Sequence, residues 1–149
     1  MPDRKAKVVF ERSEYLRRVR AVKERMDHAG IEVMLVVDPA NMNYLTGYDG
    51  WSFYVHQGVI VAQELEEPIW FGRQQDSNGA RLTTWIDESS IVGYPDEYVQ
   101  SRYTHTMVFV ANLLRERELS AGSLGVEMDN YWFSARMLLT LQEELPETR

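Results

Sequence analysis

Between Tyr44 and Gln57 the sequence reads YLTGYDGWSFYVHQ. Tyr44, Tyr48, Trp51, Phe53 and Tyr54 fall within eleven residues, and His56 follows them. Aromatic side chains with polar tips suit a surface that must be partly apolar and partly hydrogen-bonding, such as a loop facing a ligand or a partner. Rings at such a spacing also suit a core packed under a long connection. For the segment as a whole, contact with a ligand or partner is the expectation; any single ring could still belong to the core. Arg73, at the exit of an expected strand, is a second candidate. Its guanidinium could hold a carboxylate bidentately, or it could form a surface ion pair with Asp76 or Glu97.

Other chemistries find little support. The three histidines, His28, His56 and His105, are far apart in sequence. None forms the His-x-x-x-His or His-Glu-x-x-His spacing that puts two metal ligands on one helix face. Glu127 and Asp129 stand two residues apart, so on a strand they would share a face. They could bind a divalent cation, but two carboxylates alone make a poor cage, and a polar strand exit is the expected role. There is no Gly-x-Ser-x-Gly elbow and no glycine-rich phosphate loop. The chain has no cysteine, which removes thiolate nucleophiles, disulfides and cysteine-based zinc sites together. No residue of this chain is therefore expected to be catalytic or to hold a metal.

Composition bounds the partners. The 149 residues are 44% hydrophobic and 26% charged, enough apolar material for one folded domain. A net charge of -7 argues against nucleic acid, whose binding needs a basic surface. The charge is uneven. Residues 1–25 hold nine Lys/Arg against four Asp/Glu, a balance of +5, and the remainder has a balance of -12. A basic first helix could steer an acidic partner, although charge runs are usually solvated faces. No secretory leader and no apolar run of membrane-spanning length is legible, and the absence of cysteine suits a cytoplasmic location.

These side chains must be carried by ordered elements. Tyr15, Val19, Val22, Met26 and Ala29 recur at three- and four-residue steps, which predicts a helix over 13–29, capped by Ser13 and closed by Gly30. The apolar run Met34–Val37 predicts a strand over 32–37 covered on both faces, ending at Asp38-Pro39. A short helical turn over 41–45, closed by Gly47, should come next. Strands are expected over 55–62 and 68–71 as a hairpin, then over 89–92 and 124–128. Helical patterns cover 74–82, 103–118 and 134–145, with Met107, Val110, Ala111, Leu114, Met137, Leu138, Leu141 and Leu145 facing inward. The alternation implies an α/β domain of three layers, a mixed sheet of about five to six strands flanked by helices.

At Asn41-Met42-Asn43-Tyr44-Leu45-Thr46-Gly47 the chain resembles the N-terminal domain of the creatinase/prolidase superfamily. The order helix, apolar strand, Asp-Pro-x-Asn turn and Tyr-Leu-Thr-Gly carries the resemblance. Leu124-Gly125-Val126-Glu127-Met128-Asp129 and the helix ending at Leu145-Pro146 are similar to the end of that domain. Tyr44 to Gln57 is most similar to the ectoine hydrolase subfamily; Xaa-Pro dipeptidases and aminopeptidase P relatives share the scaffold.

The resemblance implies a ribonuclease-H-like motif over residues 1–149, followed in complete enzymes by a C-terminal "pita-bread" catalytic domain lying outside this chain. In peptidase members that second domain binds a pair of divalent metals; creatinase works without metal. It also implies a homodimer, in which the N-terminal domain covers the partner subunit's active site and helps select a small-molecule or short-peptide substrate. In creatinase an aromatic-x-Arg element contacts the substrate carboxylate. The matching place here is Tyr54-Val55-His56, where histidine replaces arginine and could change protonation near neutral pH. Trp51, Tyr54, His56 and Arg73 are thus the residues expected to touch substrate or the partner's active site. Alone, the chain is expected to catalyse nothing.

Overall fold

The computed structural model describes residues 7–149. Helix α1 spans Arg12–His28 and is followed by strand β1, Val33–Val36, and helix α2, Pro39–Thr46. Strands β2, Gly58–Ala62, and β3, Ile69–Arg73, form the expected hairpin. Helix α3 is Ser77–Thr83, β4 is Ile91–Tyr94, α4 is Thr106–Glu116, β5 is Leu124–Val126 and α5 is Ala135–Glu144. The sheet order is β4-β3-β2-β1-β5. β1 pairs parallel with β5 and antiparallel with β2; β3 pairs antiparallel with β2 and parallel with β4. The sheet is therefore mixed, with five strands among the described residues.

Side chains alternate across the sheet, and each face buries its own helices. Leu35, Ile60, Ile69 and Phe71 pack with Met107, Val110 and Leu114 of α4 and with Met137 and Leu141 of α5. On the other face Val36, Val59, Val61 and Trp70 pack against Tyr15, Val19 and Met26 of α1, Met42 and Leu45 of α2 and Ala80 of α3. The two apolar clusters on opposite faces make the three layers. Fully burying one such side chain contributes about 1.5–3 kcal/mol. Among the described residues no helix is long and apolar enough to cross a membrane.

Several boundaries differ from the periodicity. Glu11, not Ser13, occupies the N-cap position of α1, and no side chain caps it. Ser13 lies inside the first turn, and Ala29 is exposed. β2 begins at Gly58 rather than Val55, because the strands on either side offer ladder partners only from Gly58 onward. α4 begins after His105, whose Nδ1 accepts the Met107 N–H at 3.0 Å, so Tyr103 stays outside the helix. The Asp-Pro turn behaves as its residues dictate. Asp38 Oδ1 accepts the N–H groups of Ala40 and Asn41, Pro39 starts α2, and Gly47 ends it at φ 81°.

Candidate functional site

The mixed pairing gathers one set of loops at one end of the sheet. The carboxyl ends of β1, β3, β4 and β5 and the amino end of β2 all emerge there. The aromatic segment lies at this end, between α2 and β2.

The five rings divide. Tyr48 is buried, its ring 5.3 Å from that of Trp70, and belongs to the core. Tyr44 is half-exposed on α2, with the Arg18 guanidinium 4.6 Å from its centroid. Trp51, Phe53 and Tyr54 are displayed, at 64%, 82% and 46% exposure. They form a row: the Trp51 and Phe53 centroids are 6.2 Å apart, and those of Phe53 and Tyr54 5.3 Å. The row continues to Arg73, whose Nη1 donates to the Tyr54 hydroxyl at 3.3 Å.

The guanidinium of Arg73 is already engaged. Its Nε and Nη2 donate to the two carboxylate oxygens of Asp96 at 2.7 and 3.0 Å. This bidentate pair holds the Asp96 carboxyl below its ordinary range. The ion pair expected with Asp76 or Glu97 is thus made with Asp96; Asp76 instead accepts from Gln57 Nε2 at 3.2 Å. A carboxylate ligand could reach only the Nη1 edge that Arg73 shares with Tyr54.

His56 sits between two small clefts, both of which Tyr54 and Val55 also line. One, of about 90 Å³, is completed by Pro39, Met42, Ser52 and Trp132. The other, of about 110 Å³, is completed by Tyr98, Gln100, Ser101 and His105. The Tyr94 hydroxyl donates to the His56 carbonyl at 2.5 Å and fixes its backbone. The His56 and His105 ring centroids are 4.9 Å apart. Burial, with the His105 charge as a smaller cause, pushes the His56 imidazole down to about 4. His56 is therefore neutral around pH 7. It can donate from one ring nitrogen, but it does not switch charge near neutrality as its unperturbed value had implied.

Glu127 stands just past the end of β5, at the polar strand exit expected for it. Its Oε2 accepts the backbone N–H groups of Val37 at 2.7 Å and Asp38 at 2.8 Å, and its Oε1 accepts Asn41 Nδ2 at 2.7 Å. It ties β5 to the β1–α2 junction. Among the described residues no three His, Cys, Asp or Glu side chains are placed to hold a metal ion.

Of the four candidates chosen from the sequence, the structure brings Trp51, Tyr54 and Arg73 into one row and sets His56 beside it. Sequence reasoning named Phe53 within the aromatic segment but left it out of those four. It also missed the loop between β5 and α5, where Tyr131 is fully exposed and Trp132 Nε1 donates to the Ser52 carbonyl at 3.0 Å. The run Asn130-Tyr131-Trp132-Phe133 was a second dense aromatic stretch that could have marked it. The whole arrangement presents apolar rings, one occupied guanidinium and one neutral imidazole.

Residues 18–149 match the family described as Creatinase/Prolidase N-terminal domain. The chain is 48% identical over 141 residues to the ectoine hydrolase of Halomonas elongata, covering 94% of this chain and 35% of that protein. It is 43% identical to an uncharacterized hydrolase/peptidase of Sinorhizobium fredii, over 92% of this chain and 35% of the relative. It thus spans about a third of the length of these curated relatives. A proline dipeptidase structure from Streptococcus pneumoniae shares the fold at a TM-score of 0.69 and 20% identity, covering 88% of this chain and 87% of that one. The chain belongs to the creatinase/prolidase N-terminal domain family.

Proposed function

We propose that this is the non-catalytic N-terminal domain of a creatinase/prolidase-type C–N hydrolase, and that the row Trp51–Phe53–Tyr54–Arg73, with His56 beside it, covers the partner subunit's active site and helps select substrate. The observation that carries this reading is three neighbouring rings displayed to solvent and ending on a guanidinium. Exposed apolar rings of that extent mark a contact site. The likeness to ectoine hydrolase supports a small cyclic solute as substrate; an Xaa-Pro dipeptide is the alternative. On this reading the domain's partners are its own C-terminal catalytic domain and a second subunit of a homodimer, in the cytoplasm. Any divalent metal would belong to the catalytic domain; among the described residues of this chain no carboxylates form a cage for one.

The test uses the complete enzyme. Trp51→Ala, Tyr54→Ala and His56→Ala should each change the ratio of kcat/KM for ectoine over an Xaa-Pro dipeptide by roughly tenfold, the order of one lost contact in a desolvated site. An unchanged ratio in all three would show that the row does not face substrate.

A stand-alone module that senses a small solute is the second reading. A groove of about 370 Å³ favours it, lined by Val22, Met26, Ile31, Met34 and Leu45 with Arg25 at its edge. Calorimetry of the isolated chain with ectoine and with Xaa-Pro peptides separates the two readings. Affinity that survives Trp51→Ala supports the sensor, and absence of binding supports the cover.

A further inference from the structure

The displayed rings stand on an irregular backbone, and their direction needs a cause. Ser52 is the centre of that segment. Its Oγ accepts the N–H groups of Tyr54 at 3.4 Å and Val55 at 3.2 Å, bending the chain so that Phe53 and Tyr54 project while Val55 turns into the core. Beside the Arg73 contact to the Tyr54 hydroxyl, this local turn is anchored through the Ser52 carbonyl, which accepts Trp132 Nε1 at 3.0 Å across 80 residues of sequence.

Trp132 is itself fixed on both sides. Its N–H donates to Asn130 Oδ1 at 3.0 Å, and the next residue, Phe133, is buried in the core beside α5. Asn130 Nδ2 donates to Asp38 Oδ2 at 3.0 Å, and Asp38 is the residue that caps α2. Glu127 joins the same junction through Val37, Asp38 and Asn41. A continuous chain of hydrogen bonds thus runs from β5, through the α2 cap and Asn130, to Trp132 and on to Ser52. The rigid end of the sheet is connected to the loop that carries the rings. The indole N–H is a single donor with no rotational freedom once its ring is packed, so it fixes where the Ser52 carbonyl sits.

We propose that Trp132 is the positioning residue of the aromatic row, setting Trp51, Phe53 and Tyr54 in the orientation that meets substrate. This rests on the reading of the row as substrate-facing, but the positioning itself can be measured without it.

Two variants test it in the 149-residue chain by amide hydrogen exchange. Trp132→Phe keeps an aromatic ring and removes the donor; Ser52→Ala removes the Oγ acceptor and keeps the carbonyl. Both should speed exchange at Tyr54 and Val55 by roughly fivefold to tenfold, the worth of one neutral hydrogen bond, while Ile60 and Leu141 keep their wild-type rates. Unchanged exchange at Tyr54 and Val55 in Trp132→Phe overturns the proposal. Equal acceleration at Ile60 also overturns it, because Trp132 would then be a general core residue. In the complete enzyme, Trp132→Phe should raise KM more than it lowers kcat. The Trp51→Ala/Trp132→Phe double variant should lose less than the two single losses combined, because part of the Trp132 effect runs through Trp51, and fully additive losses would contradict the coupling. Loosened exchange together with unchanged kinetics in Trp51→Ala would sink the substrate-facing reading and leave the positioning intact.

Discussion

Replacing Glu127 should loosen the β1–α2 junction by an amount that can be worked out from its three donors. The carboxylate accepts two backbone N–H groups and one side-chain amide, all within 2.8 Å. A hydrogen bond to a charged group contributes about 1.5–3 kcal/mol when buried, and about 1 kcal/mol is the better figure for a half-exposed side chain. Glu127→Ala then costs about 3 kcal/mol, or roughly 6–12 °C in melting temperature for a domain of this size. Glu127→Gln should cost only about 1 kcal/mol. Its amide oxygen can still accept both backbone N–H groups, and Asn41 can turn its own oxygen toward the new NH2 group. The assay is urea unfolding at pH 7 followed by circular dichroism, with the slope compared to confirm that only stability changes. Glu127→Ala within about 0.5 kcal/mol of wild type would refute the argument, since surface substitutions fall in that range. Gln behaving as badly as Ala would show that the charge itself matters. A magnesium-dependent rise in wild-type melting temperature, lost in Glu127→Ala, would then identify the carboxylate as a cation ligand.

Two glycines offer a paired measurement. Both have positive φ, 69° at Gly30 and 81° at Gly47, but a Cβ at Gly30 meets nothing within 4 Å, whereas one at Gly47 lies 2.9 Å from the Thr83 carbonyl and 2.9 Å from the Tyr15 hydroxyl. Gly30→Ala should therefore cost about 1 kcal/mol, the left-handed term alone, and Gly47→Ala about 2–4 kcal/mol; equal losses in chemical denaturation would contradict the contact. Stability should also fall as the pH drops from about 6.5 to about 4, because the unfolded chain protonates His56 in that window and the folded one does not. His56→Gln should flatten that part of the profile, measured as the difference in melting temperature between pH 7.5 and pH 5; an unaltered slope would mean that His56 is not the titrating group.

How much of this was legible depended on whether a feature was local. The inward faces of α4 and α5 followed from three- and four-residue spacing: Met107, Val110, Ala111, Leu114, Met137, Leu141 and Leu145 are buried, and Leu138 is partly buried against the same core. The α2 turn was equally readable, because Asp38, Pro39 and Gly47 each have a conformational reason for their place. Boundaries that depend on a neighbour were not. Nothing within residues 55–57 says that the ladder starts only at Gly58, and Tyr103 looks helical until His105 takes the cap. The same limit applies at the site. Density of aromatic residues located the row, but Tyr48 and Tyr54 are chemically identical, and only the tertiary fold sends one to Trp70 and the other to Arg73. Asp96, which neutralises Arg73, and Trp132, which holds Ser52, are 23 and 80 residues from their partners, beyond any spacing rule.

The reversed direction of β2 explains why these distant pieces meet. In an all-parallel sheet, each strand is entered at the amino end and left at the carboxyl end, so a segment that leads into a strand lies opposite the segments that leave one. Here β2 runs antiparallel to both β1 and β3. The segment leading into it therefore shares an end with the exits of β1, β3, β4 and β5. That single reversal sets the aromatic row beside Arg73 at the end of β3, Asp96 just after β4, and Asn130 and Trp132 after β5. It also allows the row to be held by side chains instead of by secondary structure of its own. A loop held in this way can change its rings without disturbing the sheet, provided that Ser52 keeps its carbonyl facing Trp132. On the proposed reading of the row, the residues that would set contact specificity and the residues that set stability are thereby separated. Substitutions at Trp51, Phe53 or Tyr54 should move substrate preference with little change in melting temperature, whereas substitutions at Glu127 or Gly47 should do the reverse.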